Sequence, residues 1–351
     1  MKKAVLCCVV IVIMLGTAAF LHADATFYGS ARLGLWYEST NKDWNMNMEQ
    51  DTVNASNLAL NYAMQTNSRF GAKISMKGID GRVELGISPS KVGLRLLYGK
   101  ITKGDKSIII GQDYSGFKPY GDQVYGDDLN FINYGLFYDG RQPMVKFSCK
   151  NKFNAMFIIP KEVDADTLGG LQSLLPKINL SYEYAGKKMY FATSAGININ
   201  KYNKNFNTDQ LDKMILSWAV TLTGKYDLGM LNLLAQFSYG VNVGNYGICT
   251  ITPSNVVYDA GNKSFENTKT FGGLLVLKCK LFTAGASYIE TCNSLWTDKD
   301  TAMSAFIQKK VNICKNVFLV PEVGMIDNMK DNTGAKEGRK IYAGMKIQAD
   351  I

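Results

Sequence analysis

Residues 230–243 read Met-Leu-Asn-Leu-Leu-Ala-Gln-Phe-Ser-Tyr-Gly-Val-Asn-Val. From Leu231, every second residue is apolar or aromatic: Leu231, Leu233, Ala235, Phe237, Tyr239, Val241 and Val243. Between them stand Asn232, Leu234, Gln236, Ser238, Gly240 and Asn242. Successive side chains of a strand point to opposite faces, so this stretch makes a strand with one greasy face and one small, mostly polar face. The same dyad recurs along most of the chain. Repeated strands of that kind, separated by turn residues, describe an all-β transmembrane barrel of the outer-membrane type.

The other end of the sequence agrees. Lys2 and Lys3 precede an apolar run from Ala4 to Leu15, and Ala23-Asp24-Ala25 supplies a small-x-small cleavage site. Residues 1–25 read as a secretory signal peptide, leaving 26–351 as the barrel. No later stretch approaches the ~18 apolar residues of a membrane helix. The apolar content is instead diluted by alternation, and one barrel accounts for the length with no linker or low-complexity break.

Composition excludes several functions. The chain of 351 residues holds one histidine, His22, which leaves with the signal. Without histidine, Ser-His-Asp and Cys-His catalysis and His-based metal sites are ruled out for the mature chain. No catalytic residue, metal site or cofactor is expected. Cys149, Cys249, Cys279, Cys292 and Cys314 are widely spaced, with no CxxC; most read as small apolar strand residues, and whether any of them pair, for example Cys249 with Cys292 between outer loops, is left open by the spacing. The formal charge is +9, but no Arg/Lys run tracks a nucleic acid. On a barrel such a surplus points to a lumen or rim that attracts anions.

Strands are predicted at Phe27–Tyr37, Arg69–Lys77, Arg82–Ile87, Val92–Ile101, Ser107–Gln112, Met144–Cys149, Phe153–Ile159 and Lys177–Tyr184. They continue at Met189–Asn198, Ile215–Lys225, Leu231–Val243, Thr270–Cys279, Leu281–Ile289, Ala302–Ile313, Val317–Ile326 and Lys340–Ile351, about 16 in all, an even number as a bacterial barrel requires. The connections alternate. Long ones span 39–67, 113–140, 161–176, 201–213, 244–267, 292–301 and 328–337; tight ones include 78–81, 103–105, 186–187 and 227–229, with 88–91 the exception. Short turns on the periplasmic side and long loops outside are the membrane-barrel arrangement, and a soluble sandwich has no reason to segregate loop lengths.

Three patches carry a family resemblance: Thr26-Phe27-Tyr28-Gly29, Asn67-Ser68-Arg69-Phe70-Gly71, and a closing dyad of Ile341, Ala343, Met345, Ile347, Ala349 and Ile351. With the signal, dyads and loop alternation, the chain resembles the general bacterial porins, 16-stranded trimeric diffusion channels. It departs from them at Ile351, where the family ends on an aromatic residue. The resemblance implies a homotrimer in outer-membrane lipid, passing small hydrophilic solutes and ions. It also implies that 113–140 is a third outer loop folded into the lumen as a constriction. That segment carries Asp113, Asp122, Asp127, Asp128 and Asp139, with Lys118 its only basic residue. The family opposes such a loop with a basic wall. By strand parity the inward basic residues here are Arg32, Arg69, Lys73, Arg82, Arg95 and Lys146.

Parity places most of Tyr37, Trp44, Tyr98, Tyr184, Trp218, Tyr239 and Trp296 outward as an interfacial girdle, and Trp36 and Tyr190 inward, where a sugar could stack. It also puts Lys309 on the lipid face, close enough to the periplasmic end to snorkel. The reading that follows is a non-enzymatic diffusion porin of the bacterial outer membrane. A channel specific for a sugar or an anion, and a barrel-anchored surface antigen or adhesin, are the alternatives.

Overall fold

The structure, a computed structural model, describes residues 24–47, 57–160, 171–206 and 209–351. All of the expected signal peptide except Asp24 and Ala25 lies outside them, as do parts of the expected loops 39–67, 161–176 and 201–213. The chain forms a closed antiparallel barrel of 16 strands. The first eight are β1 (Asp24–Thr40), β2 (Asn57–Met64 and Arg69–Met76), β3 (Ile79–Ile87), β4 (Val92–Lys103), β5 (Lys106–Tyr114), β6 (Arg141–Cys149), β7 (Phe153–Ile158) and β8 (Leu171–Ser173 and Lys177–Ala185). They are followed by β9 (Met189–Phe206), β10 (Asp209–Asp227), β11 (Leu231–Val241), β12 (Lys269–Cys279), β13 (Thr283–Cys292), β14 (Asp300–Gln308 and Val311–Cys314), β15 (Val317–Lys330) and β16 (Arg339–Asp350). Each pairs with its neighbour in sequence, and β16 returns to β1 from Ser30↔Asp350 to Thr40↔Lys340. Gly29 and Ile351 extend this seam by exchanging backbone bonds of 3.0 and 2.9 Å.

The dyad reading holds on the wall. Phe27, Leu33 and Tyr37 of β1 are exposed on the outer surface, while Ser30, Arg32 and Trp36 are buried inside. On β11, Phe237 faces out and Gln236 and Ser238 face in. The dyad ends earlier than expected there: Asn242 takes a left-handed φ of 52°, and Val243 turns into the lumen as a buried residue. Positive-φ residues close the tight turns. Gly78 and Gly104 do so between β2 and β3 and between β4 and β5; Lys150 and Asn151, with φ of 52° and 50°, make the β6–β7 turn.

The expected loops 39–67 and 201–213 are revised. β2 already begins at Asn57, and β9 and β10 run on until Phe206 pairs with Asp209. These strands outreach the apolar band, and the outer part of the β9–β10 hairpin packs Tyr202 and Ile215 against Val256, Tyr258 and Phe265 of the loop 242–268. The break in β14 has a local cause. Pro321 of β15 lacks the N–H for its rung, and the chain opens at Lys309-Lys310, where only Lys309 N–H to Pro321 O (3.1 Å) remains. The Lys309 ammonium reaches the Lys280 carbonyl at the short-turn end of the barrel. Cys149, Cys249, Cys279, Cys292 and Cys314 are all free, so the Cys249–Cys292 bridge is not formed.

The outer surface yields a prediction. Phe237 is 46% exposed in the middle of β11. In water, Phe237→Lys would be nearly neutral; on a lipid face it should cost about 2–4 kcal/mol. Urea-induced unfolding from lipid vesicles checks this, and an unchanged midpoint would contradict a lipid-facing belt.

Candidate functional site

The segment between β5 and β6 fills much of the lumen. β5 continues through Tyr114, so Asp113 stands on the barrel wall, where it pairs with Lys146 of β6. The loop proper, 115–140, then crosses the interior and is tied down along its whole course. Gly116 N–H donates to Asn179 of β8 (3.2 Å), and Lys118 pairs with Glu183 of the same strand. The Tyr120 hydroxyl bonds the Tyr190 hydroxyl of β9 at 3.0 Å, and burial pushes the Tyr120 phenol up to about 12. Asp122 lies 3.7 Å from Lys278 of β12.

The loop's deepest stretch is held by backbone-directed bonds. Glu322 of β15, almost fully buried, accepts the N–H groups of Val124 (2.8 Å) and Tyr125 (3.0 Å) and the Tyr342 hydroxyl (3.0 Å). Gln123 donates to Ser304 (2.9 Å) and Tyr342 (2.8 Å). The Tyr125 ring stacks on Tyr342 and meets Trp36 edge-on, with centroids 3.9 and 5.3 Å apart. These contacts bury Trp36, which removes it as a platform for a passing sugar.

Asp127 and Asp128 reach the opposite wall. Asp128 joins Arg32 of β1 and Lys346 of β16 (2.7 Å to the lysine), and both cations are buried. Asp127 accepts the N–H and hydroxyl of Thr66, each at 2.7 Å, in the break that splits β2. Neighbouring Asn67 bonds the Asp127 carbonyl (2.9 Å) and Asp128 (2.7 Å). The interruption of β2 at 65–68 is therefore the loop's docking point: backbone groups released from the ladder are used by the loop.

The return leg packs on apolar wall. Phe131 sits on Phe306 of β14 with centroids 5.2 Å apart, and Phe117 and Phe137 bury against Ala219 and Tyr246. Gly135, at φ +124°, lies so close to the wall that an added Cβ would stand 2.5 Å from the Tyr288 carbonyl and 2.7 Å from that of Gly273. Asp139 closes the loop on Lys177 at 2.8 Å, a pair withdrawn from water.

The remaining predicted wall cations cluster on β2–β4. Arg69, Arg82 and Arg95 surround one carboxylate, Glu84 of β3, at 3.7, 2.9 and 2.7 Å; the Tyr28 hydroxyl donates to it at 2.8 Å. Glu84 is an inward residue by the same parity as Arg82, and attention to basic residues alone passes over it. One anion among three guanidiniums leaves the cluster net positive. Lys73 is exposed, with its ammonium 5.8 Å from the Tyr28 ring. Tyr98 pairs in register with Arg82 and lines the interior with Lys73 and Lys100, so it does not belong to the outer girdle. Trp44 likewise is buried in the Trp36–Tyr342 cluster. Trp218 and Tyr239 do meet edge-on, 5.6 Å apart.

Open space remains on this basic side. A cavity of about 480 Å³ is lined by Lys73, Arg82, Tyr98 and Lys100 with the carboxylates of Asp24 and Asp80, and one of about 200 Å³ by Lys100, Lys118, Lys146 and Glu183. Lys100 borders both. Among the described residues no cluster of three or more His, Cys, Asp or Glu could hold a metal ion.

No protein-family model and no curated protein sequence matches the chain. Solved structures do. It is similar to the outer membrane channel DcaP of Acinetobacter baumannii, with a TM-score of 0.73 at 16% identity, covering 95% of this chain and 99% of that one. OmpT, an outer membrane protein of Vibrio cholerae in a trimer form, matches with a TM-score of 0.63 at 12% identity over 94% and 100% of the two chains. An anion-selective porin from Comamonas acidovorans matches at 0.57 and 13% identity, over 94% and 100%. Identities this low establish the fold, which is that of the outer-membrane porins.

The close seat of Gly135 is testable. Gly135→Ala meets both a left-handed φ and two carbonyls, a cost of about 1–3 kcal/mol at one residue. Chymotrypsin should then cut the loop at Phe131 and Phe137, which are buried in the wild type, while the strand ladder survives. Protection equal to wild type would show that the loop is not held by this contact.

Proposed function

We propose that the chain is a non-enzymatic diffusion channel of the bacterial outer membrane, passing small hydrophilic solutes with a preference for anions through a homotrimer. The carrying observation is the one-sided lumen. The loop 115–140 docks on β8–β16, on Arg32 of β1 and in the break of β2, and the open space beside β2–β4 borders three cations, Lys73, Arg82 and Lys100, against two carboxylates, Asp24 and Asp80. Of the loop's deep carboxylates, Asp128 is neutralised by Arg32 and Lys346, while Asp127 bonds only the neutral Thr66 and keeps its charge. The open side therefore keeps an excess of positive charge next to low-dielectric wall, which raises the local concentration of anions and lowers that of cations. Loop 115–140 sets the narrowest point. The anion-selective porin among the similar structures supports this reading, and the trimer form of Vibrio cholerae OmpT supports the assembly.

Planar-bilayer recording of the refolded protein under a KCl gradient tests the proposal. Stepwise openings, in threes for a trimer, should show a reversal potential of the sign for chloride. Lys73→Gln should move that potential toward zero and Asp127→Asn should move it the other way. A folded barrel that never conducts would sink the channel reading, and a potassium-selective current would sink the anion preference.

A further inference from the structure

The barrel's two ends differ in how their charges are partnered. At the long-loop end several cations sit on carboxylates, Lys299 on Glu290 (2.7 Å), Lys330 on Asp298 (3.3 Å), Arg339 on Asp327 (2.7 Å) and Lys340 on Glu38 (2.9 Å), although Lys42, Lys91 and Lys269 there are exposed without an ion pair among the described residues. At the short-turn end the lysines are exposed, and among the described residues Lys103, Lys106, Lys187, Lys280, Lys309 and Lys315 form no ion pair. Every short turn but one carries a lysine in or beside it. The exception, Leu228-Gly229-Met230, instead offers apolar side chains, with Met230 87% exposed.

These lysines ring the outside of the wall. Lys103 and Lys106 are register partners on the outward parity of β4 and β5, next to lipid-facing Ile101 and Ile108. Lys309 continues the outward row of Ile307 on β14, beside exposed Val311 and Ile313. Lys152 places its ammonium 5.5 Å from the ring of outward-facing Tyr184. Exposed Leu281 follows Lys280 directly. An apolar side chain entering hydrocarbon beside an ammonium one headgroup above it is the snorkelling arrangement of an interface.

Resting on the reading that the short turns face the periplasm, we infer that this lysine ring binds anionic phospholipid headgroups of the inner leaflet of the outer membrane. A soluble acidic partner would be served by lysines on the end face alone; it gives no reason for alternation with exposed Met230, Leu281 and Ile313.

The test uses the full barrel refolded into phosphatidylcholine vesicles containing phosphatidylglycerol, extracted gently, with retained lipid counted by native mass spectrometry. Phosphatidylglycerol should be retained over phosphatidylcholine by on the order of fivefold for each engaged lysine. The preference should collapse in molar salt and in the sixfold variant K103Q/K106Q/K187Q/K280Q/K309Q/K315Q. The matching sixfold Lys→Arg variant should keep it, which separates charge from misfolding. Equal retention of the two lipids by the wild type, or a preference that survives both salt and the Gln variant, overturns the inference. So does equal lipid retention with capture of soluble polyglutamate, the outcome for an acidic partner. Conductance recorded on the same preparations keeps a failure of the channel reading distinct from a failure of lipid binding.

Discussion

Everything in this molecule depends on the seam between β1 and β16. A lipid environment offers no water to an unpaired backbone N–H or C=O, so a sheet can cross it only if its two edges pair with each other. Here the first and last strands do so along eleven rungs, from Ser30↔Asp350 to Thr40↔Lys340, and Gly29 with Ile351 extends the ladder to the final residue. The closure fixes which face of every strand looks inward. From that follow both the apolar belt and the polar, water-facing interior.

A closed barrel of this size still has an interior too wide to pack by wall side chains alone. The loop between β5 and β6 takes up that volume, and the wall is shaped to receive it. β2 opens at 65–68 to offer Thr66 and Asn67, β12 and β13 present Gly273 and the Tyr288 carbonyl at close range, and Glu322 supplies a buried acceptor for two loop N–H groups. Each removes what would otherwise be an unmet polar group or a clash. The loop is thus an internal wall with a defined position, and open space is left beside β2–β4.

Charge is sorted by the same geometry. Carboxylates of the loop neutralise cations on the strands they touch, Glu84 gathers three arginines on β2–β4, and Lys73 and Lys100 are left facing open space. At the short-turn end, lysines without carboxylate partners stand beside exposed apolar residues. Net charge alone carries none of this, because one surplus can be a lumen, a rim or both.

By itself the sequence determined the strand number, the faces and the closure. Dyad alternation such as Leu231–Val241 is a local property with period two, and turns such as Lys150-Asn151 are closed by two or three residues. Arg32, Arg69, Arg82, Arg95 and Lys146 followed from that parity. Partners could not follow, because they lie on strands distant in sequence: Asp128 meets Arg32 across |i−j|=96, and Gln123 meets Tyr342 across |i−j|=219. Strand ends were also misjudged where tertiary contacts set them, as in the β9–β10 hairpin, where Tyr202 and Ile215 pack against the loop 242–268, and at Pro321, whose missing donor acts on the neighbouring strand. Trp36, Trp44 and Tyr98 show the remaining limit. Alternation says which side of the wall a ring occupies, and only the folded loop decides whether it meets solute, lipid or another ring.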